Sequence, residues 1–488
     1  MPHPYLAQPQ ARRITTLIGV YAAFAFVIAD ATGYPTVLPV AIAHLGGAQY
    51  YALGSAIGGI LAVVSVPLLA FLAARNPHTR PTLMGCGLLI QVAAVVVRGI
   101  APNIWVLLGA GVFLSLGTAV SYVIGLPLVR DMFPAARASL LLGLVGTASS
   151  IGQIAGPVSV GRIIDWWGWR QVSWFIAPLL AISAVLVLAG ARITKAEGAQ
   201  IAESRRFDAI GAFLMTALVT LLILPLSLGH SSIPYGGLRS YLLFAGAALG
   251  VVGFAMVVRK KKESAFISSE VFKDRNTLAL TIQTFLSTGS SFTVLAFVPL
   301  YVLYVMHGSG FQSGMASALF AVPGLFLAPA LGRWIGRTGS AAGVIYASTA
   351  FKVVVMAGLG IMILKAPSHI NIWVIYTAML LAGFYNAGGT VTVQTAPQLM
   401  LSPRMRAQGT ASVSVQVTLG PIIGAAGFGG IVLAHGPQKG VAIALLAAAG
   451  AALLALVPVS FFRPLVGADA EEAADADGDL QMAAAPPH

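Results

Sequence analysis

The sequence predicts an all-α polytopic membrane protein of about fourteen spans, and three observations lead there. Of 488 residues, 58% are hydrophobic and only 9% are charged, with a mean hydropathy of +0.87. That balance leaves too little polar surface for a water-soluble domain. The apolar residues fall into long runs, each ended by Gly, Pro or charge, and the basic residues gather between alternate runs. In a soluble chain, a formal charge of +13 and a pI near 10.0 would suit nucleic acid. Here the cations sit singly or in short clusters between apolar runs, so they serve topology and anionic headgroups, and the expected partner is the lipid bilayer.

In order, the runs lie near 14–42, 50–72, 82–99, 104–129, 139–164, 173–192, 208–229, 241–258, 277–305, 313–335, 341–364, 371–397, 409–434 and 441–462. Ala41-Ile42-Ala43 mimics a signal-peptidase site, but the run before it is far longer than a leader's apolar core, so it reads as an uncleaved first span. With both termini cytoplasmic, the inner loops collect 21 of the 28 Lys and Arg residues, among them Arg12, Arg13, Arg75, Arg80, Arg205, Arg206 and the cluster Arg259 to Lys262. The positive-inside rule therefore fixes the orientation. The longest inner connections, roughly 193–207 and 259–276, bracket the seventh and eighth runs. This divides the chain into a tail 1–13, a six-helix bundle 14–192, a linker region 193–276 with two extra spans, a second six-helix bundle 277–462, and an acidic, disordered tail 463–488. The single cysteine, Cys86, excludes an internal disulfide.

The two six-span groups echo each other. Gly146-Thr147-Ala148-Ser149 precedes Gly156-Pro157 in the fifth run, and Gly409-Thr410-Ala411-Ser412 precedes Gly420-Pro421 in the thirteenth, with offsets that differ by one residue. Either this is chance recurrence in Gly- and Ala-rich helices, or the halves are parallel repeats with a binding site between them near the midplane.

Chemistry concentrates at Asp30, well inside the first run, with no second acidic side chain at comparable depth in the other runs. A carboxylate there must pair, face a wet cavity or carry a proton. It either hydrogen-bonds a neighbouring helix and caps the break at Gly33 and Pro35, or it takes the proton-carrying or cation-binding role that its depth favours. The fifth run places Gly152, Gly156, Pro157 and Gly161 on a spacing that admits a close neighbouring helix and a bend.

These residues resemble the major facilitator superfamily, in particular its fourteen-helix drug:proton antiporter branch. Asp30-Ala31-Thr32 with Leu38-Pro39 resembles that branch's first-helix motif, and Gly152 through Gly161 resembles its fifth-helix antiporter motif, with Val160 in place of a usual Gly. Gly168-Trp169-Arg170, Phe207-Asp208-Ala209-Ile210-Gly211 and Pro299-Leu300-Tyr301 also match, so the resemblance covers roughly 14–462. It implies the major facilitator fold of two six-helix pseudo-repeats plus two extra central helices. It also implies Asp30 as the protonation site and a Gly-Pro helix that governs the seal between halves. Two departures stand out. The loop Asp after the second helix is Ala74, echoed by Gly336 in the second half, and the fourth-helix Arg is Gly111. A cytoplasmic charge latch and an Arg linked to proton relay are therefore both expected to be missing.

Tyr34, Tyr122, Gln153, Gln283, Tyr301, Asn386 and Gln416 are candidates for the substrate cavity, each as able to bond a helix as a ligand. Lys352 reads as snorkelling or locally paired, and Arg98, near an outer helix end, as interfacial. No HExxH, GxSxG or P-loop is present, so neither an enzyme nor an ATP-driven pump is expected, and no cofactor. The expectation is a proton-coupled exporter of amphipathic or cationic organic compounds. The alternatives are a transporter of a specific metabolite or organic anion, with Lys352 or Arg98 helping, or a non-transporting receptor on a transporter scaffold.

Overall fold

The computed structural model describes residues 9–75, 77–190, 208–229, 233–234, 237–261, 269–338, 341–365 and 370–462. The acidic tail, the connection 193–207 and part of the connection 259–276 lie outside them. Twelve helices come first: α1 Gln10–Leu45, α2 Tyr51–Arg75, α3 Arg80–Ile100, α4 Ile104–Met132, α5 Ala135–Trp167, α6 Trp169–Gly190, α7 Ala209–Leu228, α8 Leu238–Lys261, α9 Arg275–Tyr304, α10 Gly310–Thr338, α11 Ala342–Lys365 and α12 Ile372–Met400. A π turn at Ser121–Gly125 interrupts α4. Asn103, Asp208, Asp274 and Asn371 cap helix starts by accepting backbone N–H groups.

The last helical segment, Pro403–Leu454, counts 52 residues. Straight, it would reach about 78 Å, more than twice the hydrocarbon thickness. It turns back instead at Gly436, where φ is 77° and Pro437 follows. A methyl group on Gly440 would lie 2.6 Å from Val432 Cα, so the two arms fold against each other. They form α13 (403–435) and α14 (437–454). Thirteen helices among the described residues are long and apolar enough to cross a membrane, and the last of them crosses twice, which gives the fourteen spans read from the sequence.

The two bundles use the same glycine-based contact. In the first, methyl groups on Gly152 and Gly156 of α5 would lie 2.2 Å from the Ala25 carbonyl oxygen and 2.5 Å from Ala29 Cα of α1. In the second, methyl groups on Gly420 and Gly424 of α13 would lie 2.7 Å from the Phe285 carbonyl oxygen and 2.5 Å from the Gly289 carbonyl oxygen of α9. Without side chains, the backbones close to distances that any Cβ would forbid. The packing therefore aligns Gly152 with Gly420 and Gly156 with Gly424. The sequence echo, which set Gly156-Pro157 against Gly420-Pro421, is one helical turn out of register. The extra pair stands apart: α8 packs on α7 through Gly246 and Gly250, and α7 rests against α2 and the 403–454 hairpin.

Candidate functional site

The centre of the site is a buried ion pair. Arg98 Nη2 of α3 donates to Asp30 Oδ1 of α1 at 2.8 Å, and Arg98 Nε donates to Ser173 Oγ of α6 at 3.0 Å. Asp30 is 3% exposed and Arg98 0%, so Arg98 is not the interfacial residue the sequence suggested. An arginine this close to a helix end would normally reach for headgroups. Here it turns inward because a buried carboxylate needs a partner more strongly. The neighbouring Gly99 lets α6 in: a methyl group there would lie 2.9 Å from Ser173 Cβ. Tyr34 sits one turn beyond Asp30 on α1, and its buried hydroxyl has no hydrogen-bond partner. It occupies space left by Gly111, where a methyl group would lie 3.4 Å from Tyr34 Oη.

The loop Asp and the fourth-helix Arg of the family pattern are absent, as Ala74 and Gly111 indicate, but charged pairs stand elsewhere in the first bundle. The cation expected from the fourth helix comes from α3. A second charge pair stands at the end of the first bundle that carries Arg75, where Arg80 pairs with Asp131 of α4 and donates through Nε to the Ala73 carbonyl at 3.0 Å. The loop Asp is absent, yet an ion pair ties α3 to α4.

The α5 motif faces two ways. Gly152 and Gly156 seat α1 immediately beside Asp30, and Val160 fills the hollow at Gly33, where a methyl group would lie 2.7 Å from Val160 Cγ2. The missing motif Gly is thus matched by a glycine on the opposing helix. On another face, α5 meets α10: methyl groups would lie 2.1 Å from the Gly310 carbonyl oxygen at Gly161 and 2.0 Å from the Pro157 carbonyl oxygen at Gly314. Asp165 Oδ1 and Oδ2 accept the N–H groups of Gly310 and Phe311 at 2.6 and 2.8 Å, as a carboxylate at a helix start should. Tyr51 and Tyr304 add bonds between the halves, donating at 2.7 Å to the carbonyls of Ala296 and Pro39. Farther along α5, Gly146 and Gly143 fall on the face that carries Pro157, and a methyl group on either would meet nothing within 4 Å. The halves thus close at the end of α5 that carries Trp167 and diverge toward the end that carries Ala135.

The remaining candidates are scattered. Tyr122 is 43% exposed and meets Phe24 edge-on at 5.1 Å, while Gln153, Asn386 and Gln416 are half-buried. Gln283 is 4% exposed and Tyr301 is fully enclosed, so neither offers a ligand much surface in this conformation. The sequence reading singled out Lys352 as snorkelling or locally paired, but not the groups that surround it. Lys352 of α11 is 2% exposed, and its Nζ donates to the Ser287 carbonyl at 2.9 Å and to Ser287 Oγ at 2.5 Å, 5.2 Å from the centre of the Tyr385 ring. It is locally held, not snorkelling.

Comparison with known proteins fits this geometry. The multidrug transporter protein MdtP of Bacillus subtilis is 25% identical over 305 residues, which covers 62% of this chain and 55% of that protein. The multidrug resistance protein Stp of Mycobacterium tuberculosis is 26% identical over 86% of this chain and 75% of its own. The riboflavin transporter RibZ of Clostridioides difficile is 23% identical over 55% of this chain and 56% of its own. The chain thus spans little more than half the length of the Bacillus and Clostridioides relatives it matches. Among solved structures, a POT family transporter in complex with 5-aminolevulinic acid superimposes with a TM-score of 0.67 at 13% identity, covering 94% of this chain and 98% of that one. That likeness shows the fold. The family model described as Major Facilitator Superfamily matches residues 20–339 and 280–482. With fourteen spans, paired six-helix bundles and that match, the chain belongs to the Major Facilitator Superfamily.

Proposed function

We propose that the protein is a proton-coupled exporter of amphipathic organic compounds that works by alternating access, with Asp30 and Arg98 as its coupling pair. One observation carries this reading: the membrane-deep carboxylate is enclosed and bonded to a single cation at 2.8 Å. A proton arriving at Asp30 cancels its charge and leaves Arg98 held by Ser173 alone, which loosens α1 from α3 and α6. The same helix carries the seat of Gly156 at Ala29 and the Pro39 carbonyl that Tyr304 grips, so a change at Asp30 reaches the closed end of the cleft. Loss of the proton restores the pair. The two bundles, 14–192 and 277–462, would rock about this closure.

The basic loops support a cell-membrane protein with both termini cytoplasmic, in which the diverging end of the cleft faces inward and receives substrate from the cytoplasm. The multidrug relatives support export of amphipathic compounds. A cationic substrate is a weaker expectation than the sequence suggested, because Asp30 already has its partner. The riboflavin transporter among the relatives favours a second reading, a carrier of one specific metabolite.

Everted vesicles test the coupling. Wild-type protein should accumulate substrate in a protonophore-sensitive manner, and Asp30→Asn should not. Protonophore-sensitive accumulation at the wild-type rate in Asp30→Asn would end the coupling role. Orientation has its own test. A cysteine introduced within 193–207, a stretch outside the described residues, should resist an impermeant reagent in intact cells.

A further inference from the structure

Lys352 is a buried cation without a carboxylate. Residues 277–462 contain neither Asp nor Glu, so no acidic side chain of its own bundle can neutralise it. The other acids described near the spans are engaged. Asp30 holds Arg98, Asp131 holds Arg80, and Asp165, Asp208 and Asp274 accept backbone N–H groups. The ammonium is instead solvated by the Ser287 carbonyl and hydroxyl and by the face of Tyr385, all neutral groups. Two hydroxyls on the same helices, Thr284 Oγ1 one turn from Ser287 and Tyr385 Oη, are buried and without a partner. Protonated, Lys352 gives the cluster a positive charge beside spare hydroxyl hydrogens, and no acidic side chain among the described residues is paired to it.

Counting the deep charges of both bundles, Asp30 and Arg98 cancel, and Lys352 remains. A charge enclosed in low dielectric is felt across several ångströms of protein. A unit anion bound at roughly 8 Å from a protonated Lys352, with an effective dielectric near 20, would be favoured by about thirtyfold. A cation in the cleft would pay by the same factor.

Resting on the transporter reading above, we propose that Lys352 is the charge-selecting residue of the cleft, and that the substrate class it favours is an organic anion: one carboxylate or sulfonate on an apolar body. Lys352 acts through its field and through the donors of Thr284 and Tyr385 beside it.

Two permanently charged, poorly permeant isosteres test this: 2-naphthalenesulfonate and its trimethylammonium counterpart, offered to energised everted vesicles that carry the full chain. Wild-type protein should accumulate the sulfonate in preference to the cation. Lys352→Met should lose that preference by about tenfold or more, and Lys352→Arg should keep it. A wild-type preference for the cation, or one that survives unchanged in Lys352→Met, overturns the inference while leaving the transporter reading intact. Vesicles that move neither probe sink both. Should Lys352→Met fail to insert, the wild-type preference and the Lys352→Arg result still decide the matter.

Discussion

In the first bundle the third helix, α3, sends Arg98 toward α1, where Asp30 cancels it. In the second bundle the third helix, α11, sends Lys352 toward Ser287 of α9 and Tyr385 of α12, which solvate it without cancelling it. The scaffold is the same in both, down to the glycine pairs that clamp the first helix of each bundle against its fifth. What differs is how a buried cation is tolerated. In the proposed cycle a paired charge is tied to its partner's protonation, so the first bundle would respond to a proton. A charge solvated by neutral groups has no such partner, so its field would not follow the protonation of Asp30. On the proposed roles, the comparison teaches that one repeat would specialise in coupling and the other in selection on a common scaffold.

The largest effect should come from breaking the pair on one side. Arg98→Met leaves the Asp30 carboxylate enclosed and alone, a loss of about 3–5 kcal/mol in comparable buried pairs. Thermal unfolding in detergent should show a marked drop, with transport lost. Near wild-type stability in Arg98→Met would mean that the pair contributes little and that the two bundles are alike after all.

Next in size is Gly156→Leu. The side chain would drive α1 away from α5 beside Asp30, so transport should vanish while the protein still inserts, as surface labelling would report. Wild-type flux would reduce the glycine spacing to mere composition.

The double variant Asp30→Asn with Arg98→Met sharpens the argument. It removes both charges, so it should recover a substantial part of the stability lost in Arg98→Met, with a coupling of about 0.5–3 kcal/mol. Additive losses would show that the two residues act independently.

Lys352→Met should scarcely alter stability, or should raise it slightly, because it removes a desolvated charge that no carboxylate offsets. A fall in melting temperature as deep as that of Arg98→Met would erase the distinction between the halves.

The smallest effect belongs to Asp165→Asn at the closed end. One amide oxygen can still accept a single N–H where the carboxylate accepted two, so the closure should weaken by a few-fold. A cysteine pair across α5 and α10 would report this as faster crosslink opening.

Much of this architecture was legible in the chain. Apolar runs with terminal charges fix the spans, since a backbone in lipid must satisfy its own hydrogen bonds and so must be helical. Fourteen spans were readable, the last two included: the runs 409–434 and 441–462 are parted in the structure by the turn at Gly436, where Pro437 follows. The depth of Asp30 and the need for it to be paired, wet or protonated were equally plain. So was the close approach promised by Gly152, Gly156 and Gly161, for a missing side chain has a local meaning.

The sequence could not say which cation meets Asp30. Arg98 lies 68 positions away, and its place near a helix end pointed outward. Only the seating of α3 against α1 and α6, which Gly99 permits beside Ser173, turned it inward. The register of the repeat was hidden for a similar reason, because glycines recur at several spacings and only packing selects the ones that touch. Hydropathy and charge are properties of a segment and act through the solvent around it, so the sequence alone determined the spans and the presence of buried charge. Pairing is a property of two segments and depends on their approach to within a few ångströms, so the tertiary structure alone decided that Arg98 neutralises Asp30 and that Ser287 and Tyr385 surround Lys352.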